Sequence, residues 1–288
     1  MLQYLSLFLK KKLLNRRGRG CLVKNAVTRE ILRIENNKVN VVEDLVVTEY
    51  AVTVKINQQE FVTMVCTPEY VEDMVMGYLA SERIIRSFED IEDIWYQEKE
   101  GFVHINTKQV NPLYQKMQNK RFITSCCGMS RQGFVFANDA LVSKKMDDIH
   151  VRITTDDCFR LMRDMQDSAV TFQETGGVHN AALCDVNGIV LSRMDIGRHN
   201  ALDKIYGYCI RNNISMQDKI IVFSGRISSE ILMKVSKIGC EIVLSKSAPT
   251  ELALQLAEQL GITTVGFIRQ NALNIYTHKE RIQLSTNE

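Results

Sequence analysis

Three prolines and 15 glycines in 288 residues are too few for a proline-rich or collagen-like chain. Nowhere does an apolar run reach the roughly 18 residues that a membrane-spanning helix needs. Neither sign of charge is in excess. The 36 Lys and Arg stand against 34 Asp and Glu, a net +2, which supplies no broad basic field for a nucleic-acid partner. The eight cysteines contain no C-x-x-C pair, so neither a zinc knuckle nor a thioredoxin-like site is written here, and they are too dilute for a disulfide scaffold. No period of 20–50 residues points to a repeat array. What remains, 45% hydrophobic and 24% charged residues, predicts a soluble globular protein of one large or two ordinary domains.

The apolar stretch 1–9 precedes Lys10, Lys11, Lys12, Arg16, Arg17 and Arg19. A secretory signal has the opposite order, which predicts a cytoplasmic protein with free thiols. Residues 1–28 read as a basic, poorly ordered tail.

From Tyr50 the pattern becomes regular. Runs at 50–56 and 61–66 flank a polar turn and predict a hairpin. Thr67-Pro68 predicts a helix cap and first turn, and a helix with Val71, Met74, Val75, Tyr78 and Leu79 on one face follows. Strands at 91–96 and 102–105 complete a small β-grasp-like α+β domain over residues 29–120. In the second half, Thr154 and Asp157 predict a capping box for a helix running to about 172. Asn187-Gly188 predicts a hairpin turn. A helix at about 200–212 is followed by strands near 220–223, 242–244 and 263–267, with helices 228–239 and 249–260 between them. Strand–helix alternation means parallel pairing, so residues 121–288 read as an α/β domain.

Cys66, Cys158, Cys184, Cys209 and Cys240 stand alone in apolar surroundings and read as buried hydrophobes. Cys126 and Cys127 are adjacent, precede Gly128 and lie between Arg121 and Arg131, which favour a thiolate. Two adjacent thiols are poorly placed to fill one zinc site. Three further loops carry chemistry: Gln173 to Ala181 with His179, Asp195 to Lys204 with Arg198 and His199, and Ser224-Gly225-Arg226. Each leads out of or into a strand or helix end. Free backbone N–H groups there suit phosphate, and the arginines add bidentate contacts. The alternative for Arg226 is an ion pair with Glu230, one turn on.

Together these segments resemble the formate dehydrogenase accessory sulfurtransferase family, the FdhD family, from about Val46 to Arg281. The matching stretches are 124–128, Thr175-Gly176-Gly177-Val178-His179, 195–204, 224–230 with 245–250, and the C-terminal Val265-Gly266-Phe267 and Ile275-Tyr276-Thr277-His278. The resemblance implies a cytidine-deaminase-like three-layer C-terminal domain. It implies that sulfur is taken from a cysteine desulfurase as a persulfide and passed to a molybdenum or tungsten cofactor bearing two guanine dinucleotide pterins, bis(molybdopterin guanine dinucleotide). That cofactor then enters the formate dehydrogenase apoenzyme. The family's cysteine motif is commonly C-x-x-C. Cys127 falls on its first cysteine and becomes the expected carrier; Ser130 replaces the second, and Cys126 is a candidate accessory thiol. The family's cofactor stretch falls on Phe267, Ile268, Arg269, Gln270, Asn271 and Ala272, joined here by Ser224, Gly225, Arg226, Arg198, His199 and His179.

No metal of the protein's own is expected. A zinc deaminase needs an H-x-E and a P-C-x-x-C, and His179-Asn180-Ala181 lacks the glutamate. The other reading is a non-catalytic chaperone that binds the cofactor and hands it on. Whether the chain forms a homodimer stays open.

Overall fold

The computed structural model describes residues 23–108 and 145–285 and the backbone of 123–124. Two ten-residue strands, β1 (Ala26–Glu35) and β2 (Lys38–Val47), pair antiparallel as an isolated ribbon. Asn36 and Asn37, both at positive φ, make the tight turn that such ribbons favour. The sequence reading did not anticipate this element. Both faces of the ribbon are largely open, with Leu32, Ile34, Val39 and Val41 exposed, so no alternation of apolar and polar residues marks it.

β3 (Tyr50–Ile56) and β4 (Gln59–Cys66) form the expected hairpin, turning at Asn57 and Gln58 with positive φ. Helix α1 (Val71–Ser81) crosses to β5 (Ile91–Gln97) and β6 (Phe102–Thr107). The short β7 (Ile123–Thr124) completes a sheet in the order β5-β6-β3-β4-β7, with β3 parallel to β6 and β4 parallel to β7. Helix α1 begins at Val71, with Tyr70 in the left-handed region at its cap, later than Thr67-Pro68 predicts. The Thr67 amide and hydroxyl are already bonded to Asp195, so they do not cap the helix.

The second half starts with β8 (Ile153–Thr154) and α2 (Thr155–Asp167), where Thr154 and Asp157 make the predicted capping box. Helix α2 stops at Asp167, short of the expected residue 172. The Ser168 hydroxyl donates to the Met165 carbonyl, and a separate short helix α3 (Val170–Thr175) follows. Next come the hairpin β9 (His179–Asp185) and β10 (Gly188–Asp195), then α4 (Arg198–Asn212), β11 (Ile220–Phe223), α5 (Ser229–Ile238), β12 (Ile242–Ser245), α6 (Glu251–Leu260), β13 (Thr263–Gly266), β14 (Asn274–Thr277) and β15 (Ile282–Gln283), which pairs with β8.

The large sheet runs β10-β9-β11-β12-β13-β14, with β11, β12 and β13 mutually parallel. Helices α4, α5 and α6 cover one face through Leu202, Ile205, Ile231, Val235 and Leu256, packed on Leu183, Ile221 and Val243. Helix α2 covers the other through Cys158, Leu161 and Met165, against Ala182, Val222 and Leu244. The sheet lies between two helical layers.

The halves meet where α1 crosses α4. A Cβ on Gly77 would overlap the Asp203 carbonyl, and one on Gly207 would overlap that of Asp73, so both positions must be glycine for the backbones to touch. Ion pairs flank the crossing, beside Tyr206 and Ile210, which pack on the core of the N-terminal half. Asp73 faces Arg211 at 3.1 Å and Arg193 at 3.8 Å. Buried Asp203 pairs with Lys234 and accepts from the Ser81 hydroxyl at 3.1 Å.

Candidate functional site

The C-terminal ends of β11, β12 and β13 open into three loops that are bonded to one another. The Ser245 hydroxyl donates to the Gly225 carbonyl at 2.8 Å, and the Ser247 hydroxyl to that of Ser224 at 3.1 Å. The Phe267 and Ile268 amides donate to the Ser247 and Ser245 carbonyls. Gly266 permits this closeness, since a Cβ there would sit 3.0 Å from the Ser247 carbonyl oxygen and 3.1 Å from Pro249. Serines at strand ends thus satisfy loop carbonyls that helix or sheet would otherwise pair.

The predicted residues fall into three groups on this edge. Ser224 and Gly225 adjoin the start of β9: the Asn180 amide donates to Ser224 Oγ at 2.9 Å, and Gly225 lies against the His179 ring. Arg198 and His199 open α4 beside His179, and the His199 Nε2 faces Glu230 at 3.2 Å. Burial, followed by the Arg198 charge and His199 and opposed by Asp195, lowers the His179 pKa and favours a neutral imidazole. The Arg198 Nε is buried without a hydrogen-bond partner among the described residues.

On the rim stand Arg226, Phe267, Arg269, Gln270, Asn271 and Ala272, all exposed. Arg226 makes no ion pair with Glu230, which turns to His199 instead. The Arg269 amide closes a turn onto the Ala272 carbonyl at 2.8 Å, and Phe267 takes up a left-handed backbone that a side chain rarely adopts. Ile268 differs from its neighbours: its side chain is 1% exposed and packs into the core under α2, so it supports the loop from beneath.

Gly176 ends α3 in a left-handed turn, and Gly177 packs so close to the ribbon that a Cβ added there would sit 2.6 Å from Val47 Cγ1. Among the described residues, no group of three or more His, Cys, Asp or Glu side chains is arranged to hold a metal ion. An open depression of about 490 Å³ lies at the opposite edge of the sheet, lined by His150, Ile214 and Lys219, and is remote from these loops.

Cys126, Cys127 and Ser130, with Arg121 and Arg131, lie outside the described residues. The five lone cysteines are all free and buried, as their surroundings predicted. Burial pushes the thiols of Cys66, Cys158, Cys184 and Cys209 up to about 12 and raises that of Cys240 as well. None of the five is a nucleophile near neutral pH.

The sequence reading missed Asn180, Ser245 and Ser247 as loop-bonding residues, and Thr67 as a contact between the halves. Serine at the end of a buried apolar strand was the available signal for Ser245. Thr67 had none, because its partner Asp195 is 128 residues away.

Several known proteins are similar to this chain. The sulfur carrier protein FdhD of Shouchella clausii is 52% identical over 260 residues, covering 90% of this chain and 97% of that one. The protein of the same name from Bacillus subtilis is 51% identical over 260 residues, covering 90% and 98%. A crystal structure of a candidate formate dehydrogenase accessory protein from Desulfotalea psychrophila superposes with a TM-score of 0.73 at 20% identity, over 90% of this chain and all of that one, and shares the fold. Residues 47–283 match the FdhD/NarQ family throughout the two halves described above, and the chain belongs to that family.

Proposed function

We propose that this protein is a sulfur carrier for formate dehydrogenase maturation, a sulfurtransferase that works through a persulfide on Cys127. The thiolate of Cys127 attacks the outer sulfur of a cysteine desulfurase persulfide and displaces the desulfurase cysteine as thiolate. Cys127 then holds the sulfur as a persulfide; the acceptor attacks the outer sulfur with its own electron pair, the S–S bond breaks and Cys127 leaves as the thiolate, so that the acceptor is the two-electron donor. That acceptor is bis(molybdopterin guanine dinucleotide) molybdenum cofactor, bound as substrate before it enters the formate dehydrogenase apoenzyme.

The observation that carries the reading is the burial of five thiols, with pKa values pushed up, in a chain whose relatives are named sulfur carriers. Of the eight cysteines it leaves Cys21, Cys126 and Cys127, and the resemblance to the family's cysteine motif favours Cys127. The order of the chain is consistent with this. Thr124 pairs with Met64 on β4, and Cys127 follows Thr124 by three residues in the sequence. Three residues after Met64 is Thr67, which is bonded to Asp195 at the end of β10, on the same sheet edge as the loops.

The loops suit a dinucleotide. Arg198, Arg226 and Arg269 supply charge for pyrophosphate, exposed Phe267 offers an apolar face, and neutral His179 adds a polar contact without further charge. The order β10-β9-β11-β12-β13 supports the cytidine-deaminase-like reading of this half. The order β4-β3-β6-β5 around a parallel central pair supports the β-grasp-like reading of the other.

Incubation with a cysteine desulfurase and cysteine, followed by intact-mass and peptide mapping, tests the carrier. One added sulfur on Cys127, lost in Cys127→Ala together with formate dehydrogenase activity in cells, is expected. Full activity of Cys127→Ala would leave a cofactor chaperone as the function.

A further inference from the structure

Asp195 and Lys204 are both fully buried, with Nζ 2.7 Å from Oδ2. The carboxylate is shared between two places. Its Oδ1 accepts from the Gly197 amide at 2.7 Å and from Asn200 Nδ2 at 2.9 Å, which shapes the turn into α4. Its Oδ2 accepts from the Thr67 amide at 3.0 Å and the Thr67 hydroxyl at 3.1 Å, beyond the end of β4. Lys204 donates to the Thr67 hydroxyl at 2.7 Å and to the Met194 carbonyl at 3.1 Å. Asn200 Nδ2 also reaches the Val65 carbonyl at 2.9 Å.

Stability alone is a poor reason for this cluster. Desolvating two charges costs several kcal/mol, and apolar residues of equal volume often hold an interior as well or better. What an ion pair with this many directed bonds supplies is a fixed register between the segments it joins. One segment carries Arg198 and His199. The other is the end of β4, the strand on which β7 pairs; the paired thiols follow β7 in the sequence.

We infer that Thr67, Asp195, Asn200 and Lys204 are positioning residues, a clamp that sets the nucleotide-binding edge of the C-terminal half against the end of β4, the strand on which β7 pairs ahead of Cys127 in the sequence. This rests on the sulfur-carrier reading above. None of the four need touch the sulfur or the nucleotide. Loosening the clamp leaves each site intact and disturbs their alignment.

The test uses the full chain, GDP as the probe, and the rate at which iodoacetamide alkylates Cys127, followed by peptide mass mapping. In the wild type, bound GDP slows alkylation several-fold. Thr67→Val removes the hydroxyl shared by Asp195 and Lys204. It keeps GDP affinity by calorimetry but loses most of the protection, and Thr67→Ser restores it. Ser81→Ala removes a different buried bond between the halves, the one to Asp203, and controls for looser packing; it keeps the protection. Should Thr67→Val not fold, Asn200→Ser, which drops the amide bonded to Asp195 and Val65, is read by the same criterion. Protection in Thr67→Val equal to wild type, equal loss in Ser81→Ala, or GDP that binds wild type without protecting Cys127 would each overturn the inference. Failure of GDP to bind wild type would bring down the nucleotide reading first, and the clamp's role with it.

Discussion

Glu241 and Arg281, just before β12 and just before β15, are nearly as buried as Asp195 and Lys204 at the opposite edge of the same sheet. Arg281 donates to Glu241 at 3.0 Å, to the Thr263 hydroxyl, and to the Met146 and Asp148 carbonyls. His150 closes the other side of Glu241. Every bond of this cluster stays within the C-terminal half and ties the segments at 146–150 and at Arg281 to the sheet. The Asp195 cluster crosses between halves and borders the candidate site. Similar burial and similar chemistry thus hold a fold together in one place and align two functional segments in the other. Burial of an ion pair does not reveal which it does; the segments it joins do.

The largest effect that sharpens this contrast comes from removing one partner in each cluster. Arg281→Met and Lys204→Met each leave a carboxylate buried without its cation and lower stability by about 3–5 kcal/mol in urea unfolding. Only Lys204→Met also loses the protection of Cys127 by GDP. Loss of protection in Arg281→Met would erase the distinction between the clusters.

Next is the crossing of α1 and α4. Gly77→Ala forces a methyl into the Asp203 carbonyl and costs about 3 kcal/mol, read as a lower unfolding midpoint. An unchanged midpoint would show that the halves are not locked at this point. A smaller change, about 1 kcal/mol, follows Thr154→Ala, which removes the capping box of α2. Because that cap lies at the start of α2, GDP affinity stays at the wild-type value.

The smallest effect is the titration of His179. Its folded pKa is depressed, mainly by burial, so the unfolded chain binds the proton more readily. Stability is therefore unaffected above the ordinary histidine value of about 6.5 and declines as pH falls below it towards the folded pKa. His179→Gln shows a shallower decline than wild type over that window. Parallel stability–pH curves for the two proteins would show that His179 titrates normally.

Much of the C-terminal half was legible because its signals are local. Ile220 to Phe223 and Ile242 to Ser245 are short apolar runs buried on both faces. Ser228 and Gly239 bracket α5, and Gly261 ends α6, where cap chemistry needs only adjacent residues. The ribbon of β1 and β2 was not legible, since a two-stranded element open on both sides has no core face to print a period of two. Among the site residues, His179, Arg198, Ser224 and Gly225 could be picked out because they sit at element ends. Ile268 shows the limit. It lies in the right loop, but only packing shows that its side chain points into the core.

The sequence by itself determined the alternation of strands and helices from α4 to β13, the parallel pairing of β11, β12 and β13, and the family, since each depends on nearest neighbours or on motifs within a few residues. Tertiary structure alone decided which charges are buried and with whom. Thr67 and Asp195, or Glu241 and Arg281, meet across 128 and 40 residues of chain. Nothing in the composition around either residue names its partner, because their attraction becomes strong only after packing has excluded water from between them.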